Sequence, residues 1–198
     1  MLFYPESEPV PEILTSEKFL IRPLRPSDVR LDYKAVIANR ENLLKRTNGR
    51  WPKEGFTIEE NLSDLEYHDQ QHQERNEFTF TIMNPAESEC LGCLYIYPLG
   101  KALEREISEE DIASLSIKDY ESLVTFWVTP AAIKRSLDEK LLEQLIQWFR
   151  DEWSFEKVVL SFGPRASTRE MKISEELGLE LRYSFDTPKG RLAGWQLK

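Results

Sequence analysis

The chain has 198 residues, of which 40% are hydrophobic and 11% aromatic, enough for one domain with a sizeable core. Its net charge of -9 argues against general nucleic-acid or anionic-membrane binding, since both need a basic face to neutralise phosphates, and favours a cationic amine as partner. No segment approaches the roughly 20 apolar residues that span a bilayer, and the opening MLFYPESEPVPEIL lacks the basic and apolar regions of a secretory signal, so a cytoplasmic location is expected.

Residues 1–18 read as a proline-containing lead-in, and FLIRPL, 19–24, as a first strand. Ser27 or Asp28 then caps a helix to about Asn39, with Val29, Tyr33, Val36 and Ile37 on its buried side. A turn-rich loop, NGRWPKEGF, carries Trp51. Thr57 with Glu60 makes a capping box for a long helix that includes Leu62, Leu65 and Tyr67. FTFTIMNP, 78–85, is a strand ending in a turn, and CLGCLYIYPL, 90–99, its antiparallel neighbour. The charged piece 101–122 shows no clear element and is expected to be an insertion or mobile loop.

VTFWV, 124–128, is a strand closed by Pro130, which has no N–H for a ladder. A polar loop leads from it into a helix whose Leu137, Leu141, Leu142, Leu145, Trp148 and Phe149 share one face. KVVLSF, 157–162, is another strand, 168–177 a short helix ending at Gly178, and LELRYSF and LAGWQLK a final strand pair joined by DTPKG.

Two cysteines form CLGC and two histidines HDQQH. Together they could supply a Cys2His2 zinc site. Residues three apart on a flat strand face opposite sides, however, and the histidines lie on a polar, solvated helix. Neither a metal nor a disulfide is therefore expected.

The strand-to-helix junction at 128–139 allows two outcomes. Helix N-termini present unpaired N–H groups and partial positive charge, which suits a pyrophosphate. Ser136 and Glu139 also match a capping box, and Asp138 and Glu139 complement the helix dipole while repelling an anion. Lys134 and Arg135 offset that repulsion.

Through Trp127, Val128, Pro130, Leu137 and Leu141 this junction resembles the GCN5-related N-acetyltransferases, whose central motif is a strand, a proline, a Gln/Arg-x-x-Gly-x-Gly/Ala loop and a long helix. Ile133 stands in the Gln/Arg place, and Lys134, Ser136 and Asp138 stand where the family has glycine or alanine. The element order extends the likeness over about 19–185, and the stretch from WPKEGF to TIMNP, 51–85, followed by CLGCLYIYP, 90–98, resembles a bacterial branch with an Asp-containing loop. The resemblance implies an α/β (α+β) fold: a lead-in over 1–18, then a single domain over 19–198 with a mixed sheet of about six to seven strands flanked by helices. It implies acetyl-CoA as co-substrate and a small-molecule or peptide amine as acceptor. Cofactor contacts fall to Trp127, Val128, Lys134, Arg135, Ser136, Leu137, Asp138 and Ser167, with 157–162 as partner strand of a splay that admits the pantetheine arm. Glu121 is the candidate base. Ser174 occupies the place of the family's acidic tyrosine, so Tyr183 is the candidate acid. The alternative is a non-catalytic relative that uses the cleft or the Trp51 region to bind another ligand or a protein.

Overall fold

Runs of β-branched and aromatic residues pair into one mixed eight-stranded sheet in the computed structural model, which describes residues 3–198. The strands are β1 (Leu14–Thr15), β2 (Leu20–Pro23), β3 (Phe78–Met83), β4 (Cys90–Pro98), β5 (Glu121–Val128), β6 (Lys157–Leu160), β7 (Glu180–Thr187) and β8 (Gly190–Gln196). Their order is β1-β2-β3-β4-β5-β6-β8-β7. The helices are α1 (Val29–Ala38), α2 (Arg40–Arg46), α3 (Ile58–Gln73), α4 (Leu99–Leu103), α5 (Glu109–Ser114), α6 (Pro130–Ile133), α7 (Leu137–Asp151) and α8 (Thr168–Glu176). None is long and apolar enough to cross a membrane. The chain divides into two compact units, each discontinuous in sequence.

One unit holds Glu12–Tyr95 and Phe126–Leu141. Here β1, inside the expected lead-in, pairs antiparallel with β2 through Leu14↔Ile21 and Thr15↔Leu20. A two-residue strand has too little alternation to be read from sequence. The turn into α1 is fixed by Arg22, whose guanidinium grips Asp28 with two 2.8 Å bonds and Glu87 with one of 2.6 Å. Those partners hold its pKa further above the ordinary arginine value, against the opposing pull of burial. Asp28 therefore serves Arg22 and the Arg25 N–H, and makes no side-chain cap to α1. Val36 is buried as expected, but Ile37 points outward at 41% exposure; the inward face of α1 is instead Asp32, Ala35 and Val36. Thr57 and Glu60 form the expected capping box on α3. The core gathers Val36, Leu43, Phe56, Met83, Cys90, Cys93 and Trp127.

The other unit holds the described residues through Pro11, with Ile96–Thr125 and Leu142–Lys198. Parallel pairing of β5 with β6 runs from Glu121↔Lys157 to Val124↔Leu160, and β8 pairs antiparallel with both β6 and β7. The charged segment contains α4 and α5, and Leu99 and Leu103 pack with Leu123, Val159, Tyr183 and Leu192. Ile107, Ile112, Leu115 and Ile117 add to that cluster. Phe3 and Tyr4 are buried among Trp153 and Phe155, with ring centroids 4.9–5.4 Å apart. Gly178, at φ +69°, follows α8 as its left-handed C′ residue.

Candidate functional site

The junction between β5 and α7 is built by a sequence of backbone commitments. Thr129 donates its N–H to the Leu91 carbonyl at 2.8 Å, ending β5, and its hydroxyl accepts from Ala132 to cap α6. Pro130 takes the first helical position, where an N–H would have no partner. The N–H groups of Ala132, Ile133, Lys134, Arg135 and Ser136 then close turns onto Thr129, Pro130, Ala132 and Ile133. Ser136 turns the chain with φ +52°, a left-handed conformation that favours glycine. An ordinary N-cap is extended instead, so Ser136 enters α7 by a different backbone route from the one its capping-box pattern suggests.

Residues 137–139 form the first turn of α7, where an α-helix has N–H groups without intrahelical acceptors. Leu137 and Asp138 are buried there, while Lys134, Arg135 and Ser136 are exposed. Arg135 folds back to donate to the Ala131 carbonyl at 3.2 Å. A cavity of about 370 Å³ lies beside the loop, lined by Lys34, Cys90, Thr129, Pro130 and Lys134 among others.

Upstream on β5, Trp127 and Val128 are buried, and the Trp127 indole donates to the Tyr95 hydroxyl at 3.3 Å. Gly92 lets this segment approach β4: a Cβ there would lie 2.0 Å from the Trp127 carbonyl oxygen. Arg46, at the end of α2, donates to the Phe126 carbonyl at 2.7 Å. No local sequence pattern singles out that arginine. Trp51 is engaged with Phe56 and donates to Asp64 at 3.0 Å.

The remaining candidates belong to the other unit. Glu121 is buried, with a 2.7 Å ion pair to Arg182 and a looser one of 3.4 Å to Lys157. Tyr183 lies flat over Gly194, where any Cβ would strike its ring, and its hydroxyl has no hydrogen-bond partner of ordinary geometry. Burial pushes its pKa up to about 12, against the weaker lowering by Ser161 and Arg182. Ser167 caps α8 in a reciprocal box with Glu170, and the buried Ser174 donates to the Glu170 carbonyl at 3.0 Å.

The cysteine and histidine pairs do not meet as a four-ligand group among the described residues. His68 contacts Thr79 and Glu77, and His72 the Thr79 carbonyl. The expectation that Cys90 and Cys93 face opposite sides is overturned, because both thiols converge on Asp32. Strict alternation therefore fails between the two cysteines, on the stretch where Gly92 is pressed against the Trp127 carbonyl. Burial raises the Asp32 pKa, partly countered by the Asn61 hydrogen bond; Cys93 is raised by its contact with Cys90 and by burial. Sequence offered a signal for Asp32, a carboxylate three and four residues before Ala35 and Val36 on an otherwise apolar face.

No family model and no curated protein matches the sequence. Solved structures do match the fold over nearly its whole length. The ribosomal-protein-S5-alanine acetyltransferase from Vibrio fischeri superposes with TM-score 0.67 at 14% identity, covering 94% of this chain and 96% of its own. RimL, a ribosomal L7/L12 alpha-N-protein acetyltransferase in complex with coenzyme A, gives 0.68 at 13% identity, over 93% and 97%. The fold is that of the GCN5-related N-acetyltransferases. The microcin C7 self-immunity acetyltransferase MccE, in complex with acetyl-CoA and AMP, gives 0.67 at 12% identity over 91% and 92%. In this GCN5-related fold the eighth strand is β1, and the loop from Thr129 to Ser136 holds its turn without a glycine.

Proposed function

We propose that the protein is an acyl-CoA-dependent N-acetyltransferase, moving an acetyl group from acetyl-CoA to a primary amine on a small molecule or peptide. The observation that carries this reading is the backbone of Ser136: at φ +52° it adopts the conformation for which the GCN5-related pattern uses a small residue. The turn into α7 is thus formed although its side chains differ.

In this reading the pyrophosphate lies at the first turn of α7, where helix N–H groups and the dipole favour an anion. Ser136 turns the chain there, Leu137 and Asp138 contribute backbone, and Lys134 and Arg135 contribute charge. Trp127 and Val128 line the pantetheine arm, and Ser167 contacts the cofactor from the start of α8. The acceptor amine attacks the thioester carbonyl as its neutral form, forming the amide bond and breaking the carbon–sulfur bond; one proton leaves the nitrogen and one reaches the departing thiolate. Glu121 is anchored by Arg182, so the reading assigns the amine's proton to water and gives Glu121 a structural part. Tyr183, protonated at neutral pH with its pKa near 12, supplies a hydroxyl donor. The RimL and S5 enzymes act on ribosomal proteins by name, which makes a protein N-terminal amine an acceptor class to screen beside small amines. Dependence on acetyl-CoA and an acidic chain suit a cytoplasmic setting.

A second reading, a non-catalytic relative that has lost CoA binding, is favoured by Arg46. Its guanidinium holds the Phe126 carbonyl on the part of β5 that the pantetheine arm would pair with. Thermal unfolding with and without acetyl-CoA and CoA, followed by calorimetry, separates the two. Ligand at 100 times its dissociation constant stabilises by about 2.7 kcal/mol, a shift on the order of 5–10 °C for this size. No shift at millimolar ligand would transfer the conclusion to the second reading.

A further inference from the structure

Three metal-ligating side chains that the acetyl-transfer reading leaves unused meet in one buried place. Asp32, on the inward face of α1, and Cys90 and Cys93, on β4, each bring one ligand atom to within 4.8 Å of the other two. Cys93 Sγ lies 3.3 Å and Cys90 Sγ 4.0 Å from the same oxygen, Asp32 Oδ1. We propose that Asp32, Cys90 and Cys93 form a zinc site.

The spacing fits the ion. With Zn–S near 2.3 Å and Zn–O near 2.0–2.2 Å, a tetrahedral centre requires S···O edges of about 3.5 Å and an S···S edge of about 3.8 Å. The two observed S···O separations, 4.0 and 3.3 Å, bracket that edge. Two thiolates with one carboxylate are a donor set that selects zinc over magnesium or calcium.

The surroundings fit as well. Asp32, Cys90 and Cys93 are each no more than 3% exposed, and no lysine or arginine among the described residues pairs with Asp32. An ionised carboxylate buried without a cation is costly, and a coordinated metal removes that cost. Asn61, fully buried, donates Nδ2 to Asp32 Oδ2 at 2.9 Å, leaving Oδ1 turned to the thiols; its own Oδ1 has no partner. Holding the far oxygen of a ligating carboxylate is the usual work of a residue behind a metal ligand. Cys90 also lines the 370 Å³ cavity, which offers a hydrated ion a way in and a place for a water as fourth ligand. Binding involves no redox change: each thiol releases its proton to solvent as its sulfur takes the metal.

The test uses full-length protein without a histidine tag, purified from zinc-supplemented medium under reducing conditions. Metal analysis is expected to return about one zinc per chain. Cobalt added to the demetallated protein is expected to give thiolate-to-metal charge-transfer absorption, retained when His68 and His72 are both changed to asparagine and lost in Cys90→Ala and Cys93→Ala. Asn61→Ala is expected to weaken cobalt binding by about 10–100-fold while keeping the spectrum. Wild-type protein with both thiols reduced, no zinc and no cobalt spectrum overturns the site, and that result stands even if the alanine variants fail to fold. A spectrum that survives loss of either cysteine, or disappears with the histidines, overturns this ligand set. None of these readouts depends on acetyl transfer.

Discussion

Ser136 holds a left-handed backbone that costs an L-residue about 1–2 kcal/mol and glycine almost nothing. Ser136→Gly should therefore raise the melting temperature by roughly 2–8 °C and, on the acetyl-CoA reading, leave ligand affinity equal or tighter. A lower melting temperature would mean that the serine side chain contributes more than the strain removes. The two cations before it are exposed, so changing Lys134 and Arg135 to alanine should spare stability. If both contact pyrophosphate, losing two charge-assisted bonds at about 1.5–3 kcal/mol each weakens CoA binding by at least 100-fold. Calorimetry showing unchanged affinity would move the pyrophosphate elsewhere. Arg182→Ala leaves the Glu121 carboxylate buried with only the 3.4 Å contact to Lys157. The expected loss is about 3–5 kcal/mol, read by urea unfolding; a loss below 1 kcal/mol would show that water reaches the carboxylate. Sequence names Glu121 as a carboxylate on a strand but is silent on Arg182, sixty-one positions away. Pairings of that kind become visible only when β5 and the end strands are assembled.

At the scale of elements, periodicity and capping were legible where they were strong. Thr57 and Glu60 cap α3 as their spacing requires, and the apolar face of α7 is buried residue for residue at Leu137, Leu141, Leu142, Leu145, Trp148 and Phe149. Thr57→Ala should cost about 1 kcal/mol, with the loss appearing first as fraying of the start of α3 in hydrogen exchange. Failure came where a pattern was short or diluted. Two-residue β1 carries no alternation, and in the stretch holding α4 and α5 the charged residues hide Leu99, Leu103, Ile107, Ile112, Leu115 and Ile117, which pack on a common cluster. Lys189 fastens that stretch further, reaching Glu106 at 2.9 Å and the Arg105 carbonyl at 3.2 Å. On β4, the alternation that assigned the two cysteines to opposite faces fails between Cys90 and Cys93, whose thiols both reach Asp32.

For the molecule as a whole, acid should act through His72. It packs edge-on against Phe78 and Phe80, with centroids 5.1 Å away. Burial lowers its pKa, and the Thr79 carbonyl, Asp69 and Glu12 only partly restore it. The unfolded chain, with a pKa near 6.5, then binds the proton more readily than the folded one. Stability from this group is complete above about pH 6.5 and declines as pH falls through that value towards the lower folded pKa. Urea midpoints at pH 7.5 and 5.5 should therefore fall further in the wild type than in His72→Gln; parallel profiles would remove His72 from the acid response. The two units also differ in when they can form. Tyr4 receives the Ser154 N–H at 3.2 Å across 150 positions, and its ring rests on Trp153 and Phe155. A ribosome adding about 5–20 residues per second needs roughly 10–30 s to bring those partners out. Phe3 and Tyr4 therefore wait, uncovered and open to chaperones, while about 150 further residues are made.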